Sequence, residues 1–179
     1  MAVPDIRPAL ATDLAFLPAL EAASDTLLAG RPEIDSDLLG TLPAPAGPGE
    51  LAAARHLLVA GNPPAAFARI EEVGGCAHLE QLSVHPKAAR AGLGRALVAA
   101  AIRWAEEAGY PALTLCTFAR VPFNAPFYSS CGFTIVTPEG ELARVRRQEA
   151  EHGLDRIGER VAMRIDLAAR TGQAADVGN

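Results

Sequence analysis

Apolar positions along the chain change period several times, and each change marks an element. Val3 to Pro8 lies between two prolines and reads as a short edge strand, because proline lacks the N–H a central strand needs. Thr12 is the expected N-cap of a helix reaching about Ala23, with Leu14, Leu17, Ala19 and Leu20 on its apolar side. From Gly30 to Gly49, Pro32, Pro43, Pro45 and Pro48 break any period, and the segment reads as loop with room for one helical turn. A short helix is expected over Glu50 to Arg55. Leu57 to Ala60, Ala66 to Val73 and Cys76 to Val84 then read as three consecutive antiparallel strands. Gly61-Asn62-Pro63-Pro64 and Gly74-Gly75 are the turns between them.

The period turns helical at Gly92. Leu93, Leu97, Ala100, Ala101, Trp104 and Ala108 fall on one face of a 3.6-residue helix, and Gly109 stands where a terminating glycine belongs. Ala112 to Phe118 is nearly all apolar, as a strand buried on both faces should be. Strand, crossover helix and strand predict a parallel pair. Asn124 is the expected cap of a short helix ending at Gly132, with Pro126 in its first turn. Phe133 to Thr137 reads as a strand and Glu141 to His152 as a charged helix. Arg160 to Leu167 alternates strictly, with Val161, Met163, Ile165 and Leu167 on one face. Residues 168–179 are small and polar, the composition of a disordered tail. The pattern predicts a single α/β domain over residues 1–167. Its sheet is mixed, mostly antiparallel and twisted, with a parallel central strand pair and helices on both faces.

Composition narrows the function. Half of the 179 residues are hydrophobic but only 5% are aromatic, so the core is expected to be aliphatic and built of small residues. A net charge of −5 argues against a nucleic-acid partner, which needs a basic surface. The longest apolar run, Ala96 to Ile102, is far short of a membrane span. Asp5 and Arg7 interrupt the stretch a secretion signal would need, so a cytoplasmic protein is expected. Cys76, Cys116 and Cys131 are an odd, widely spaced set, which fits reduced thiols. Cys76 and His78 are too isolated to make a zinc site, and no metal is expected.

The strongest local signal for chemistry is the junction from Leu82 to Arg95, L-S-V-H-P-K-A-A-R-A-G-L-G-R. A strand end, a small-residue turn and a helix start at Gly92 would offer unpaired backbone N–H groups to an anion, with Arg90 and Arg95 adding charge. An ordinary strand-to-helix turn would use the same glycines. Two known phosphate motifs fail here. A dinucleotide fingerprint needs a third small residue where Leu97 stands, and a P-loop needs Gly-Lys before Ser or Thr.

The run Leu79-Glu80-Gln81-Leu82-Ser83-Val84-His85-Pro86, then Arg90-Ala91-Gly92-Leu93-Gly94-Arg95-Ala96-Leu97, resembles the acetyl-coenzyme A motif of the GNAT acetyltransferase superfamily. Asn124-Ala125-Pro126-Phe127-Tyr128, followed by Cys131-Gly132-Phe133, resembles that superfamily's second coenzyme motif. Residues 57–167 carry the likeness well and the first 50 only loosely. Thr117 to Tyr128 also resembles a bacterial subgroup signature, T-F-x-x-V-P-x-N-A-P-F-Y. The resemblance implies acetyl-coenzyme A as cosubstrate. It puts the pantetheine arm along Leu82, Ser83 and Val84, and the pyrophosphate on Arg90, Ala91, Gly92, Leu93, Gly94 and Arg95. It makes Asn124 a pantetheine contact and Tyr128 the acid that protonates the departing thiolate. One departure is Ala89, which stands where the superfamily usually has Gln or Arg.

Amine acetylation also needs a base. Glu80, mid-strand among neutral neighbours, is the expected one, with His78 and His85 as rivals and a solvent-facing strand glutamate as the plain alternative. The acidic loop Glu33, Asp35 and Asp37 is expected to border the acceptor, which makes a small cationic amine the expected substrate. A non-catalytic coenzyme A sensor on the same fold is the alternative. A homodimer stays open.

Overall fold

The computed structural model describes residues 5–168. The chain runs through β1 (Ile6–Pro8), α1 (Leu17–Asp25), α2 (Pro48–Ala52), β2 (His56–Ala60), β3 (Ala66–Val73) and β4 (Cys76–Val84). It continues through α3 (Leu93–Glu107), β5 (Ala112–Phe118), α4 (Ala125–Ser130), β6 (Thr134–Val136), α5 (Gly140–Glu151), α6 (Leu154–Ile157) and β7 (Arg160–Asp166). The strands form one sheet in the order β1-β2-β3-β4-β5-β7-β6, antiparallel throughout except for the parallel pair β4 and β5. The tail expected from residue 168 onward lies, beyond Ala168, outside the described residues.

Two cores flank the sheet. On one face α3 buries Leu93, Leu97, Val98, Ala101 and Ala105 against Leu58, Ala68, Ile70, Leu113, Leu115 and Met163. Alanines along α3 let it lie close to the strands, as the low aromatic content requires. On the other face Leu17 and Leu20 of α1 and Leu51 of α2 pack on Leu57, Val59 and Phe67. A third cluster of Leu28, Ile34, Phe118, Val121 and Ile157 ties the proline-rich loop to the far end of β5.

Several boundaries differ from the pattern-based expectation, each for a local reason. α1 begins at Leu17 rather than after Thr12. Pro18 has no N–H to give to Leu14, so it is tolerated only in a first turn. Ahead of it Asp13 accepts from Leu10 N–H at 2.7 Å and pairs with Arg7 at 2.6 Å, which winds residues 10–16 into tight turns instead. The first strand is described as Ile6–Pro8, and the short helix expected at Glu50 to Arg55 runs Pro48–Ala52, entered through its proline. The loop before it does hold one short 3-10 segment, Ser36–Thr41.

β4 carries the irregularity that matters most. Ile70 lies opposite Leu79 and Arg69 opposite Gln81, so Glu80 is an extra residue with no partner on β3. A bulge of this kind bends the strand and increases its twist. Beyond it β4 leaves β5: the parallel ladder joins only Ala77 to Leu113 and His78 to Thr114.

Candidate active site

The separation of β4 from β5 opens the sheet. The β4 edge from Glu80 to Val84 faces the opening unpaired, while β5 keeps its ladder to β7 as far as Phe118. A cleft of about 940 Å³ occupies this opening, and residues from α1, the early loops, β3, β4, α3, β5, α4, α5 and β7 line it.

One end of the cleft is made by the turn between β4 and α3. Arg90 has a left-handed backbone (φ 66°) and so does Gly92 (φ 81°). For a residue with a Cβ that conformation costs on the order of 1 kcal/mol. No side chain caps α3, and among the described residues no backbone carbonyl accepts from the N–H groups of residues 90–95. These N–H groups at the positive end of a 15-residue helix make an anion cradle. Gly94 leaves space there, since a Cβ would come no closer than 3.5 Å to Phe127 and 3.8 Å to Val84. Arg95, expected to add free charge, instead donates to the Ser130 carbonyl at 3.0 Å and the Ser130 hydroxyl at 2.8 Å. It fastens α3 to the end of α4.

Of the residues expected to hold the coenzyme, Leu82, Val84, Arg90, Gly92, Leu93, Gly94, Arg95, Asn124 and Tyr128 line the cleft. Ser83 does not: its side chain is fully buried and accepts from Gln81 at 2.9 Å, which leaves its backbone as the useful part. Ala91 is exposed on the turn and also lies off the lining. Asn124 stands at the N-cap position of α4 but makes no capping bond. Its amide donates across to Thr117 Oγ1 at 2.8 Å, and its Oδ1 is buried without a partner. An unpaired acceptor of this kind suits a ligand N–H. Tyr128 is buried against Phe127 and Phe133, and burial pushes its phenol well above its ordinary range.

Midway along the cleft sits Glu80, its side chain 46% exposed, with burial among the cleft walls raising its carboxyl. His85, by contrast, points away from this work: its Nδ1 accepts from Lys87 N–H at 3.1 Å in the turn that follows β4.

The other end is acidic, but through residues the sequence pattern did not single out. Glu33, Asp35 and Asp37 do not line the cleft. Glu33 faces Arg31 at 3.5 Å, and Asp35 accepts from Asp37 N–H at 3.1 Å to start the 3-10 segment. Their place is taken by Glu21 and Asp25, one turn apart on α1 and both on the cleft wall. Burial pushes Glu21 up to about 7, with the Asp25 charge adding, and it pushes Asp25 up to about 6. The i, i+4 spacing was visible in the sequence; their enclosure by the loop and sheet was not. Glu149 also lines the cleft, near Glu80 and Cys116, held by Arg160 at 2.6 Å and Arg146 at 2.5 Å. Cys116 lines the wall with its thiol pushed up to about 12, mainly by burial.

Proteins of known structure share this fold. The ribosomal-protein-S18-alanine N-acetyltransferase from Escherichia coli superposes with a TM-score of 0.63 at 20% identity, over 94% of this chain and 97% of that one. A GCN5-related N-acetyltransferase from Rhodopseudomonas palustris gives 0.65 at 22% identity, over 93% and 98%. The PaiA N-acetyltransferase from Thermoplasma acidophilum, in complex with coenzyme A, gives 0.66 at 15% identity, over 93% and 99%. The model of the acetyltransferase (GNAT) family matches residues 24–133, and the chain belongs to that family.

Proposed function

We propose that this protein transfers the acetyl group of acetyl-coenzyme A to the primary amine of a small cationic acceptor, by direct attack. One observation carries the reading: a single cleft joins a bare anion cradle, an unpaired strand edge and a group of carboxylates held above their ordinary pKa range. Family membership and the coenzyme A bound to the Thermoplasma relative support the donor.

The residues fit such a donor. The N–H groups of residues 90–95 would take the pyrophosphate, and the β4 edge at Leu82 to Val84 would pair with the amides of the pantetheine arm. Asn124 Oδ1, buried and unpartnered, would accept from one of those amides. When bound, the coenzyme supplies an activated thioester. Glu80 takes the proton from the acceptor ammonium, and its raised pKa makes it a better base than an exposed carboxylate. The freed amine bonds to the acetyl carbon as the carbon–sulfur bond breaks. Tyr128, kept protonated by burial, gives its proton to the leaving sulfur and regains one from the nitrogen, which sheds its second proton as the amide forms. Cys116 is a thiol rather than a thiolate at neutral pH, which supports direct attack over an acyl-cysteine intermediate.

Glu21 and Asp25 favour a cationic acceptor. Each is costly to ionise in the empty cleft, and an arriving ammonium would offset that cost. A thiol-release assay with acetyl-coenzyme A against amino acids, polyamines, aminoglycosides and peptide N-termini tests this. Release should be fastest with the polyamines or aminoglycosides. Release with acidic amino acids alone would overturn the acceptor class, and coenzyme binding without release from any amine would make the domain a sensor.

A further inference from the structure

Behind Glu80 lies a hydrogen-bonded chain that the proposed reaction has not yet used. His78 is 2% exposed, in the stretch where β4 and β5 are still paired. Its Nδ1 lies 2.8 Å from Thr114 Oγ1 on β5, and that hydroxyl donates to the Ala77 carbonyl at 3.3 Å. A threonine hydroxyl has one proton. Given to the Ala77 carbonyl, that proton leaves the oxygen to accept from His78, with the ring proton on Nδ1 and a lone pair on Nε2; given to Nδ1, it puts the ring proton on Nε2. Nε2 faces Glu80 Oε2 at 3.6 Å, too far for a hydrogen bond.

We propose that His78 is a positioning residue for Glu80: its Nε2 lone pair, oriented by Thr114, accepts a hydrogen bond from the Glu80 carboxyl once that group has taken a proton. The inference rests on the reading of Glu80 as the base. The ammonium N–H bond breaks, the proton bonds to Glu80 Oε2, and Nε2 holds it there while the amine nitrogen attacks. The proton leaves to water after the product departs. Nothing is oxidised or reduced.

The geometry explains why a histidine occupies a fully enclosed strand position at all. Burial pushes its pKa down to about 4, so the ring stays neutral at working pH and acts as an acceptor rather than a counter-ion. The charged and titratable groups around the pair are Arg69 and Glu71 on β3, Cys116 on β5, Glu149 on α5 and Arg160 on β7. Arg69 and Arg160 lower the Glu80 carboxyl while Glu149 and Glu71 raise it. Arg160 and Glu149 are already paired with each other, and so are Arg69 and Glu71.

Nuclear magnetic resonance on the whole protein without ligand tests the pair directly. The imidazole nitrogen shifts of wild-type protein at neutral pH should show a neutral ring protonated at Nδ1. The Glu80 carboxyl carbon should titrate with a midpoint that falls by about one unit in His78→Asn, which keeps a donor near Thr114 and deletes Nε2. Thr114→Val is the second variant. It frees the ring to protonate Nε2 and donate to the carboxylate, so it should lower the same midpoint, while Thr114→Ser should leave it in place. A wild-type ring protonated at Nε2, or a Glu80 midpoint unmoved in both His78→Asn and Thr114→Val, would overturn the proposal. A midpoint that moves as expected in a protein that acetylates no amine would uphold the pair and sink the transfer reading instead.

Discussion

Tyr128 lines the cleft with no side-chain hydrogen bond to its hydroxyl among the described residues, and its ring is fixed by Phe127 at 5.2 Å and Phe133 at 5.9 Å. Removing the oxygen therefore disturbs little packing. Tyr128→Phe should fold with an unchanged melting temperature, bind acetyl-coenzyme A as tightly, and turn over about tenfold more slowly or worse, as for a group needed mainly in the transition state. Steady-state rates with a calorimetric affinity check this, and wild-type turnover would remove Tyr128 from the mechanism. Glu21 gives a different kind of test. Its pKa is raised on folding from 4.5 to about 7, so the folded state binds the extra proton and stability declines as pH climbs through that interval. Glu21→Gln cannot lose a proton, so it should raise the melting temperature at pH 8 and change it little at pH 4.5. An equal effect at both pH values would mean the carboxylate is not desolvated. Legibility at this scale was uneven. Glu80 stood out because its strand neighbours are neutral, and Tyr128 because its motif is specific. Glu21 and Asp25 did not, because what makes them unusual is the wall built around them by β3, β4 and the proline-rich loop.

At the scale of elements, alternation along β4 explains both a success and a failure of the sequence pattern. Leu79 and Leu82 are three apart, yet both pack into the core beneath α3. Strict alternation would put them on opposite faces, and only the extra residue at Glu80 reconciles them. The strand was legible from the Gly74-Gly75 hairpin turn ahead of it; the bulge was not, because nothing local distinguishes an inserted residue from a paired one. The start of α1 shows the reverse. Pro18 was there to be read, and its missing N–H outweighs the capping chemistry of Thr12. At α3 the fold and the site can be separated experimentally. Gly92 needs its left-handed backbone, so any side chain there strains the turn. Gly94 is helical with room for a Cβ, and an acidic residue in a first turn suits the helix dipole. Gly94→Asp should thus leave the melting temperature of the free protein unchanged or slightly higher, while abolishing the rise that acetyl-coenzyme A gives to wild type. A thermal shift equal to wild type would put the phosphates elsewhere.

For the molecule as a whole, the order of strands and helices and the parallel pair followed from periodicity, and the turn at the start of α3 from its glycines. The acidic wall of the cleft did not. It draws on α1, β3, α5 and β7, spread over more than a hundred residues of chain, and only the completed sheet brings Glu21 and Glu149 to the same opening. Among the described residues no helix is long and apolar enough to cross a membrane.

The extra residue in β4 has a meaning for inheritance as well as for chemistry. Losing one codon there would restore regular alternation, let β4 and β5 zip together along their length, and give the chain a more complete sheet. Such a descendant would have nowhere to receive a ligand. Selection for a complete sheet alone gives no reason to keep the strand's irregular residue; an opening that is put to use does.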